Sequence, residues 1–264
     1  MKIETREIDI KRGIVHITTR DERWYPTKDG KSYLPSSSWI SSYYYKGKEF
    51  IKWLQEHPDD SEKVKEESGN KGSKVHQGIQ LLLTCHKCHK PCVGKCSKGG
   101  EHVGETLKID DKLPNSEGKM EEITVEEWEC LIGFSNFKKK YNPTTISVEH
   151  TVFNEKDGYA GTLDWKVLIN YEGVDYIAII DHKTSKAIYP NHKIQLSSYK
   201  HAEGNEDVEK QFILQVGYKR NKEWFKFTEV EDCYNVFLAT RVIWDNENKN
   251  VFPKQMEYPL SLKL

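Results

Sequence analysis

The chain has 264 residues with 36% hydrophobic and 31% charged content, which places it with soluble globular proteins whose single domain buries a full core. No apolar run reaches the roughly 18 residues of a membrane span and the N-terminus lacks the apolar core of a secretion signal, so we expect a cytoplasmic protein, or one of the host cytoplasm if the chain is viral. Forty basic and 41 acidic residues give a net charge of −1, which neither indicates nor excludes nucleic-acid binding.

The first 56 residues predict an arm and a helix. Residues 1–33 form the arm, extended or folded as a hairpin, because apolar and polar residues alternate from Ile8 to Thr18. Pro35 and the serines that follow supply N-cap chemistry for a helix over residues 37–56. Five aromatic side chains lie on that helix: Tyr43, Tyr44, Tyr45, Phe50 and Trp53. Core packing is the usual role of such a cluster, and stacking on unpaired bases is the alternative.

The rest of the chain alternates helices with strands. Residues 62–70 are charged and predict a loop or a short helix. The further elements, in chain order, are a helix over 72–84, a helix over 126–141, a strand over 146–153, strands over 161–170 and 174–181, a helix over 191–202, a hairpin over 212–218 and 224–230, and a closing helix over 231–248. This order predicts an α/β (α+β) fold with one mixed sheet flanked by helices.

The two strands before the 191–202 helix predict a β-hairpin around the turn pair Glu172-Gly173. With that centre, Asp164 and Asp181 face each other across the hairpin, on one face of the sheet. Lys183 shares the face of Asp181 because strand side chains alternate. Two close carboxylates repel each other unless a cation lies between them, so the pattern indicates a site for Mg²⁺ or Mn²⁺ and phosphate chemistry. A lone Asp-x-Lys is more often a solvated strand end, but Asp181 ends a very apolar run.

Four short patterns follow one another along the chain: Gly72–His76, Gly161–Asp164, Asp181–Lys183 and Gln195–Tyr199. In this order and spacing they resemble the Gly-x-x-x-His helix, Gly-x-x-Asp strand, Asp-x-Lys strand and Gln-x-x-x-Tyr helix of the PD-(D/E)XK nuclease superfamily. The resemblance is to its RecB-like branch, which includes phage exonucleases and CRISPR-associated nucleases. It implies a restriction-endonuclease-like core over residues 34–264, interrupted by an insertion at 85–114.

The resemblance also implies roles for individual residues at the active site. His76, Asp164, Asp181 and the backbone carbonyl of His182 would bind Mg²⁺ or Mn²⁺, and Lys183 would be the catalytic lysine. The metal would polarise the scissile phosphate and activate a water, while Lys183 would position that water or stabilise the developing charge.

Three further residues complete the expected site. Glu149 falls where relatives often carry an acidic residue, and we count it as catalytic. Gln195 and Tyr199 lie four residues apart on one helix face, where they would support the site and contact a nucleotide backbone. The plainer alternative for these two is a surface glutamine and a half-buried tyrosine.

The function that the resemblance implies is a metal-dependent DNA exonuclease, acting on single strands or DNA ends in replication, recombination or repair. A helicase or recombination protein is a candidate partner. Two alternatives stay open: a structure-specific or nicking endonuclease using the same site, and an inactive DNA-binding or assembly protein that keeps the nuclease fold.

The 85–114 insertion is rich in cysteine. Cys85, Cys88, Cys92 and Cys96 lie within twelve residues, and this density in an intracellular chain indicates metal binding rather than disulfides. Cys85 and Cys88 have the spacing that lets two thiolates hold one ion. We expect a structural Zn²⁺ site that Cys92 and Cys96 complete, with His86, His89 or His102 as substitute ligands. Disulfides or free thiols and an iron–sulfur cluster are the alternatives, the last disfavoured because RecB-like nucleases with a cluster place three cysteines after the Gln-x-x-x-Tyr helix.

Overall fold

The computed structural model describes residues 3–21, 23–91, 95–101 and 103–263. The strands are β1 Ile3–Asp9, β2 Ile14–Arg20, β3 Trp24–Pro26, β4 Tyr33–Pro35, β5 Lys112–Pro114, β6 Met120–Glu122, β7 Thr144–Asn154, β8 Tyr159–Tyr171, β9 Val174–Lys183, β10 Lys210–Val216, β11 Phe225–Glu229 and β12 Lys254–Pro259. The helices are α1 Ser37–Ser41, α2 Lys48–Glu56, α3 Ser61–Leu83, α4 Val125–Tyr141, α5 Pro190–Lys200 and α6 Tyr234–Glu247. Across these described ranges, no helix combines the length and apolar character that crossing a membrane requires.

Five strands form the central sheet in the order β11-β10-β9-β8-β7. The β9–β10 pair is parallel and the other three pairs are antiparallel, so the sheet is mixed, as predicted. Helices α3 and α4 cover one face through a core that contains Val75, Phe134 and Trp165. Helix α5 covers the other face through a core that contains Leu196 and Ile179. The flanked mixed sheet is the coarse architecture that the alternation of elements predicts.

The β8–β9 hairpin has the predicted centre. Glu172 and Gly173 both have positive φ, at 53° and 84°, which is the conformation of a two-residue type I′ turn. Strand pairing runs from Tyr171↔Val174 to Trp165↔Ile180. The register is therefore confirmed, and it fixes which residues face each other at the far end of the hairpin.

Two helix predictions were wrong. The single helix expected over residues 37–56 is divided into α1 and α2, because Gly47 between them has φ of 84°, outside the helical region. The charged residues 62–70, expected to be a loop or a short helix, belong to the 23-residue helix α3. The straight-chain charged residues of this segment have good helix propensity. The segment lacks an apolar stripe, so the periodicity of its hydrophobic residues did not predict a helix.

The N-terminal arm contains the expected hairpin, formed by β1 and β2. Strand β12, from the other end of the chain, pairs with β2 and makes a second, three-stranded sheet that was not predicted. The later part of the arm packs against the body: Trp24 lies edge-on to Trp39 and Trp244, with ring centroids 5.4 and 6.2 Å away. Three distant segments thus meet in one aromatic cluster.

Candidate functional site

Three carboxylates line up across neighbouring strands of the central sheet. The pairs Val148↔Trp165 and His150↔Leu163 bracket Glu149 and Asp164, which therefore occupy the same level of β7 and β8. The next level after Trp165↔Ile180 in the β8–β9 pair brings Asp164 opposite Asp181. Regular strand pairing is absent at this level on both sides of Asp164. Asp164 instead accepts a hydrogen bond at Oδ2 from the backbone N–H of His182, at 2.7 Å.

The interruption in β7 coincides with an unusual backbone. Glu149 has φ of 46°, in the left-handed region that a residue with a long side chain rarely adopts. Such a conformation costs of order 1–3 kcal/mol and persists only where the surrounding structure holds it. Here it accompanies the local break in pairing with Asp164.

His76 brings helix α3 to the carboxylates. Its Nδ1 lies 3.6 Å from a carboxylate oxygen of Glu149 and 3.6 Å from Oδ2 of Asp164. Its Nε2 lies 3.0 Å from the backbone carbonyl oxygen of His182 and can donate a hydrogen bond to it. The structure therefore brings His76, Glu149, Asp164 and the His182 carbonyl together.

A buried ion pair fixes the part of α3 that carries His76. The Lys74 ammonium lies 2.8 Å from the carboxylate of Glu127 on α4, and the two side chains are almost fully buried. The same ammonium donates a hydrogen bond to the carbonyl of Glu122, at 2.7 Å. Because a buried charge needs these partners, α3 has little freedom to slide along α4.

Asp181 and Lys183 form the second half of the cluster. The ammonium of Lys183 lies 2.9 Å from Oδ1 of Asp181, to which it donates a hydrogen bond, and 2.7 Å from Oδ2. Both carboxylate oxygens of Asp181 therefore contact the Lys183 ammonium. Asp164 and Asp181 are buried, with 7% and 2% of their surface exposed, whereas the side chains of His76 and Glu149 are 28% and 24% exposed. The aspartates thus form the floor of the cluster and the other two side chains part of its rim.

Burial raises the pKa of both aspartates. For Asp164 the cations His76 and Lys183 oppose this effect and Glu149 adds to it. For Asp181 the main opposing group is Lys183, and Asp164 adds to the rise, so the two carboxylates interact. Burial lowers the pKa of His76, but Asp164 and Glu149 outweigh it and raise that pKa to about 9. The cluster thus combines three acidic side chains with His76 and Lys183, a donor set suited to a further cation.

Among the described residues, a ring nitrogen of His76, a carboxylate oxygen of Asp164 and a ring nitrogen of His182 lie within 4.8 Å of one another and could hold a metal ion. The sequence assigned only the carbonyl of His182 to the site. The His182 ring is buried beside Phe134 and Trp165. Burial lowers the pKa of this imidazole well below its usual value, and the positive charges of His76 and Lys183 lower it in addition. This imidazole is therefore neutral, the form that binds metals.

Gln195 and Tyr199 contact each other beside the cluster. Gln195 Nε2 donates a hydrogen bond to the Tyr199 hydroxyl at 2.7 Å. The Tyr199 ring lies directly over Gly161, where an added Cβ would be only 2.5 Å from the ring carbon Cε1. The glycine three residues before Asp164 thus lets α5 approach β8 closely.

Two residues near the carboxylate cluster were not predicted from the sequence. The hydroxyl groups of Tyr25 and Thr162 form a hydrogen bond of 3.1 Å. His192 lies close to the Asp181–Lys183 pair: burial and Lys183 together lower its pKa to about 4, against the opposing effect of Asp181. Tyr25 lies in a segment interpreted as an arm, and His192 in the first turn of α5, so no local pattern marked either one.

The cysteine cluster lies just beyond the end of α3. The sulfur atoms of Cys85, Cys88 and Cys96 lie within 4.8 Å of one another, and those of Cys85 and Cys96 are 3.7 Å apart. These three residues could bind a metal ion such as zinc. Cys92, expected to be the fourth ligand, lies outside the described residues.

The backbone around Cys96 also suits a metal-bound thiolate. The N–H of Lys98 donates a hydrogen bond to the Cys96 sulfur, at 3.4 Å, and the chain turns back through Gly99 and Gly100. The hydrogen bond from the Lys98 N–H lowers the pKa of the Cys96 thiol, but desolvation and the neighbouring sulfurs of Cys88 and Cys85 together raise it above its usual value. A cation among the sulfurs would remove that mutual repulsion, because thiolates are the form that coordinates metal.

No protein-family model matches the chain, and no curated protein matches it. Among solved structures, the crystal structure of SSO0001 is similar to this chain at 19% sequence identity, with a TM-score of 0.29. The similarity covers 47% of this chain and 59% of that chain, so this chain spans little more than half the length of that protein. A similarity this weak carries no argument about fold or function.

Proposed function

We propose that this chain is a metal-dependent exonuclease that hydrolyses phosphodiester bonds in single-stranded DNA or at DNA ends. The observation that carries the proposal is the alignment of Glu149, Asp164 and Asp181 across three adjacent strands, with Lys183 bonded to Asp181. The mixed sheet flanked by helices is the architecture that the resemblance to PD-(D/E)XK nucleases implies. We assign the chain to the RecB-like branch of that superfamily and its core to the restriction-endonuclease-like fold.

Mg²⁺ or Mn²⁺ is the ion that we propose for this site. Carboxylate and carbonyl oxygens from Asp164, Asp181 and His182 are hard ligands, and His76 adds an imidazole nitrogen. The three acidic side chains of the cluster favour an added cation, which would bind the neutral form of His76. When bound, such an ion polarises a phosphate and lowers the pKa of a coordinated water.

The protein's own groups have separate tasks in this proposal. Lys183, which is bonded to the buried Asp181, would place a positive charge where negative charge develops on the phosphate. Glu149 and Asp164 orient His76 through its Nδ1. Tyr199, only 3% exposed, supports β8 beside Asp164, and Gln195, bonded to its hydroxyl, would contact the nucleotide backbone.

For the cysteine cluster we propose a structural Zn²⁺. Thiolates are soft ligands that select zinc over magnesium, and a site closed by protein ligands is structural rather than catalytic. Cys85, Cys88 and Cys96 would supply three ligands, and the sequence offers Cys92 as the fourth.

The test compares wild type with Asp181→Asn and with Asp175→Asn, an exposed carboxylate on the same strand β9. End-labelled single- and double-stranded DNA is incubated with Mg²⁺, Mn²⁺ or EDTA. We expect metal-dependent cleavage by wild type and Asp175→Asn, and a loss of at least about 100-fold in Asp181→Asn, since a direct ligand matters more than an outer one. Circular single-stranded DNA separates the alternatives, because only an endonuclease cuts it. Undiminished cleavage by Asp181→Asn would refute the site, and no cleavage by wild type would favour the inactive DNA-binding alternative.

A further inference from the structure

Helix α2 carries a row of stacked aromatic rings. The rings of Phe50 and Trp53 have centroids 5.8 Å apart and an interplanar angle of 21°. The ring of His57, just past the end of the helix, continues the row at 4.9 Å and 23° from Trp53. Near-parallel rings at these separations form a stacked ladder along one side of the helix.

This ladder does not belong to the core. None of the described side chains of α2 is fully buried, and Ile51 is exposed. Phe50, Trp53 and Leu54 lie outside all three hydrophobic clusters, whereas Tyr43 and Tyr44, in the same segment, pack against the aromatic cluster of α1 and α6. The structure therefore separates the two roles that the sequence left open for these aromatics.

Basic groups accompany the rings. The Lys46 ammonium lies over the ring of Phe50, 4.6 Å from its centroid, and the side chain of Lys48 is exposed at the start of the helix. Alternation of flat aromatic faces with ammonium groups is complementary to a single-stranded nucleic acid, whose bases stack and whose phosphates are negative. A duplex offers no free base faces to such a surface.

The segment that carries α2 is tied on either side to the strands that contribute the aspartates. Before it, Ser37 donates a hydrogen bond to the carbonyl of Ala160 on β8. After it, α3 passes Gly72, whose position for a Cβ lies 4.0 Å from the hydroxyl of Thr184, directly after the end of β9. A DNA strand on the ladder would thus lie on a segment that joins these two contacts.

We propose that Phe50, Trp53 and His57 form a stacking platform for the unpaired bases of single-stranded DNA, which sets the preference for single strands. The inference rests on the proposed function for its link to cleavage, but the binding it requires can be measured without cleavage. The occupant is a nucleic-acid strand. A lipid surface is the competing occupant of an amphipathic helix with aromatic and basic residues, and it is an outcome of the test.

The test measures binding of fluorescein-labelled oligo-dT and of a duplex hairpin to full-length protein in the Asp181→Asn background. No chelator is added, so that the cysteine loop keeps its metal. The double variant Phe50→Ala/Trp53→Ala should bind oligo-dT at least about tenfold more weakly, with duplex binding little changed, because each stacked base contributes substantially to affinity. Trp53→Phe should keep most of the affinity, and Phe252→Ala, at an aromatic side chain that is 73% exposed elsewhere, should match the parent protein.

Three results would overturn the platform: oligo-dT binding unchanged in the double variant, equal loss for oligo-dT and duplex, or no oligo-dT binding together with binding to vesicles that contain anionic lipid. Far-UV circular dichroism of the double variant excludes unfolding as the cause of a loss. If the platform binds oligo-dT but wild type cleaves no DNA, the proposed function fails and the platform stands. If wild type and the double variant cleave single strands with the same KM, the platform fails and the nuclease stands.

Discussion

The carboxylate cluster and the cysteine cluster depend on the fold in different ways. The side chains of the carboxylate cluster come from β7, β8, β9 and α3, and its two aspartates are buried in the central sheet. The three described cysteines of the second lie within twelve residues of sequence. Their loop is joined by isolated bridges such as Thr84↔Pro91 and Cys85↔Gly104, outside any sheet of the described chain. Helix α3 connects the two, since His76 precedes its end and Cys85 follows it.

The difference indicates what each metal would contribute. The carboxylate cluster is held in place by the strand pairs next to it and by the Lys74–Glu127 pair, so the fold fixes its geometry and compensates its buried charge. The cysteine loop is joined by backbone hydrogen bonds and isolated bridges instead of a sheet, so a metal there would add to the loop's own stability. Substitutions in the two regions should therefore fail in different ways.

The largest effect is expected from Cys85→Ser. Losing one of the ligands should abolish zinc binding, since structural zinc sites contribute apparent free energies of about 10–16 kcal/mol that depend on the full ligand set. The loop should then open, and trypsin should cut at its exposed lysines, such as Lys87 and Lys98, faster than in wild type. Metal content after dialysis and limited proteolysis measure both effects. Cys233→Ser, at a half-buried thiol outside the loop, is the matched control and should keep its zinc.

An unchanged zinc content in Cys85→Ser would show that the three sulfurs do not form the site. Loss of the central sheet's circular dichroism signal together with the zinc would also contradict the comparison, because it would make the body of the fold depend on the loop. The expected outcome is local damage with an intact sheet.

The sequence predicted the parts of the molecule that local signals determine. Glu172-Gly173 and the alternation around it set the hairpin register, and the register brings Asp164 opposite Asp181. The dense cysteines likewise predicted their own proximity. The chemical roles of these residues stay predictions, because proximity alone does not test them.

Features that depend on distant partners could not be predicted. Glutamate has no preference for left-handed backbone, so nothing in the sequence marked the break at Glu149. The buried Lys74 is stable only because α4 brings Glu127 to it, and β12 pairs with β2 from the opposite end of the chain. Local propensity carries no information about such contacts, and tertiary packing overrides it.

A smaller effect is expected from Gly161→Ala, which tests whether packing fixes the carboxylate cluster. The added Cβ would meet the Tyr199 ring at 2.5 Å, and overpacking of this kind costs about 1–3 kcal/mol of unfolding free energy. Gly69→Ala is the control, because Gly69 lies within α3 with no atom near the new methyl group. That change should stabilise the protein by up to about 1 kcal/mol through helix propensity. Urea denaturation of wild type and the two variants measures these effects. Equal midpoints for the two variants would mean that α5 can move away from β8 without a loss of stability.

The smallest effect tests whether the sheet holds strain at Glu149. Glu149→Gln and Glu149→Asn both remove the charge beside His76, so both should reduce cleavage alike. Asparagine tolerates the left-handed region better than glutamine, and relief of the backbone strain should make the Asn variant more stable than the Gln variant by about 1 kcal/mol. Comparing the two variants with each other, rather than with wild type, cancels the loss of the Glu149–His76 interaction. Equal denaturation midpoints would show that the backbone at position 149, with φ of 46°, is not strained. The sheet would then hold the carboxylate cluster less rigidly than we infer from the contrast with the cysteine loop.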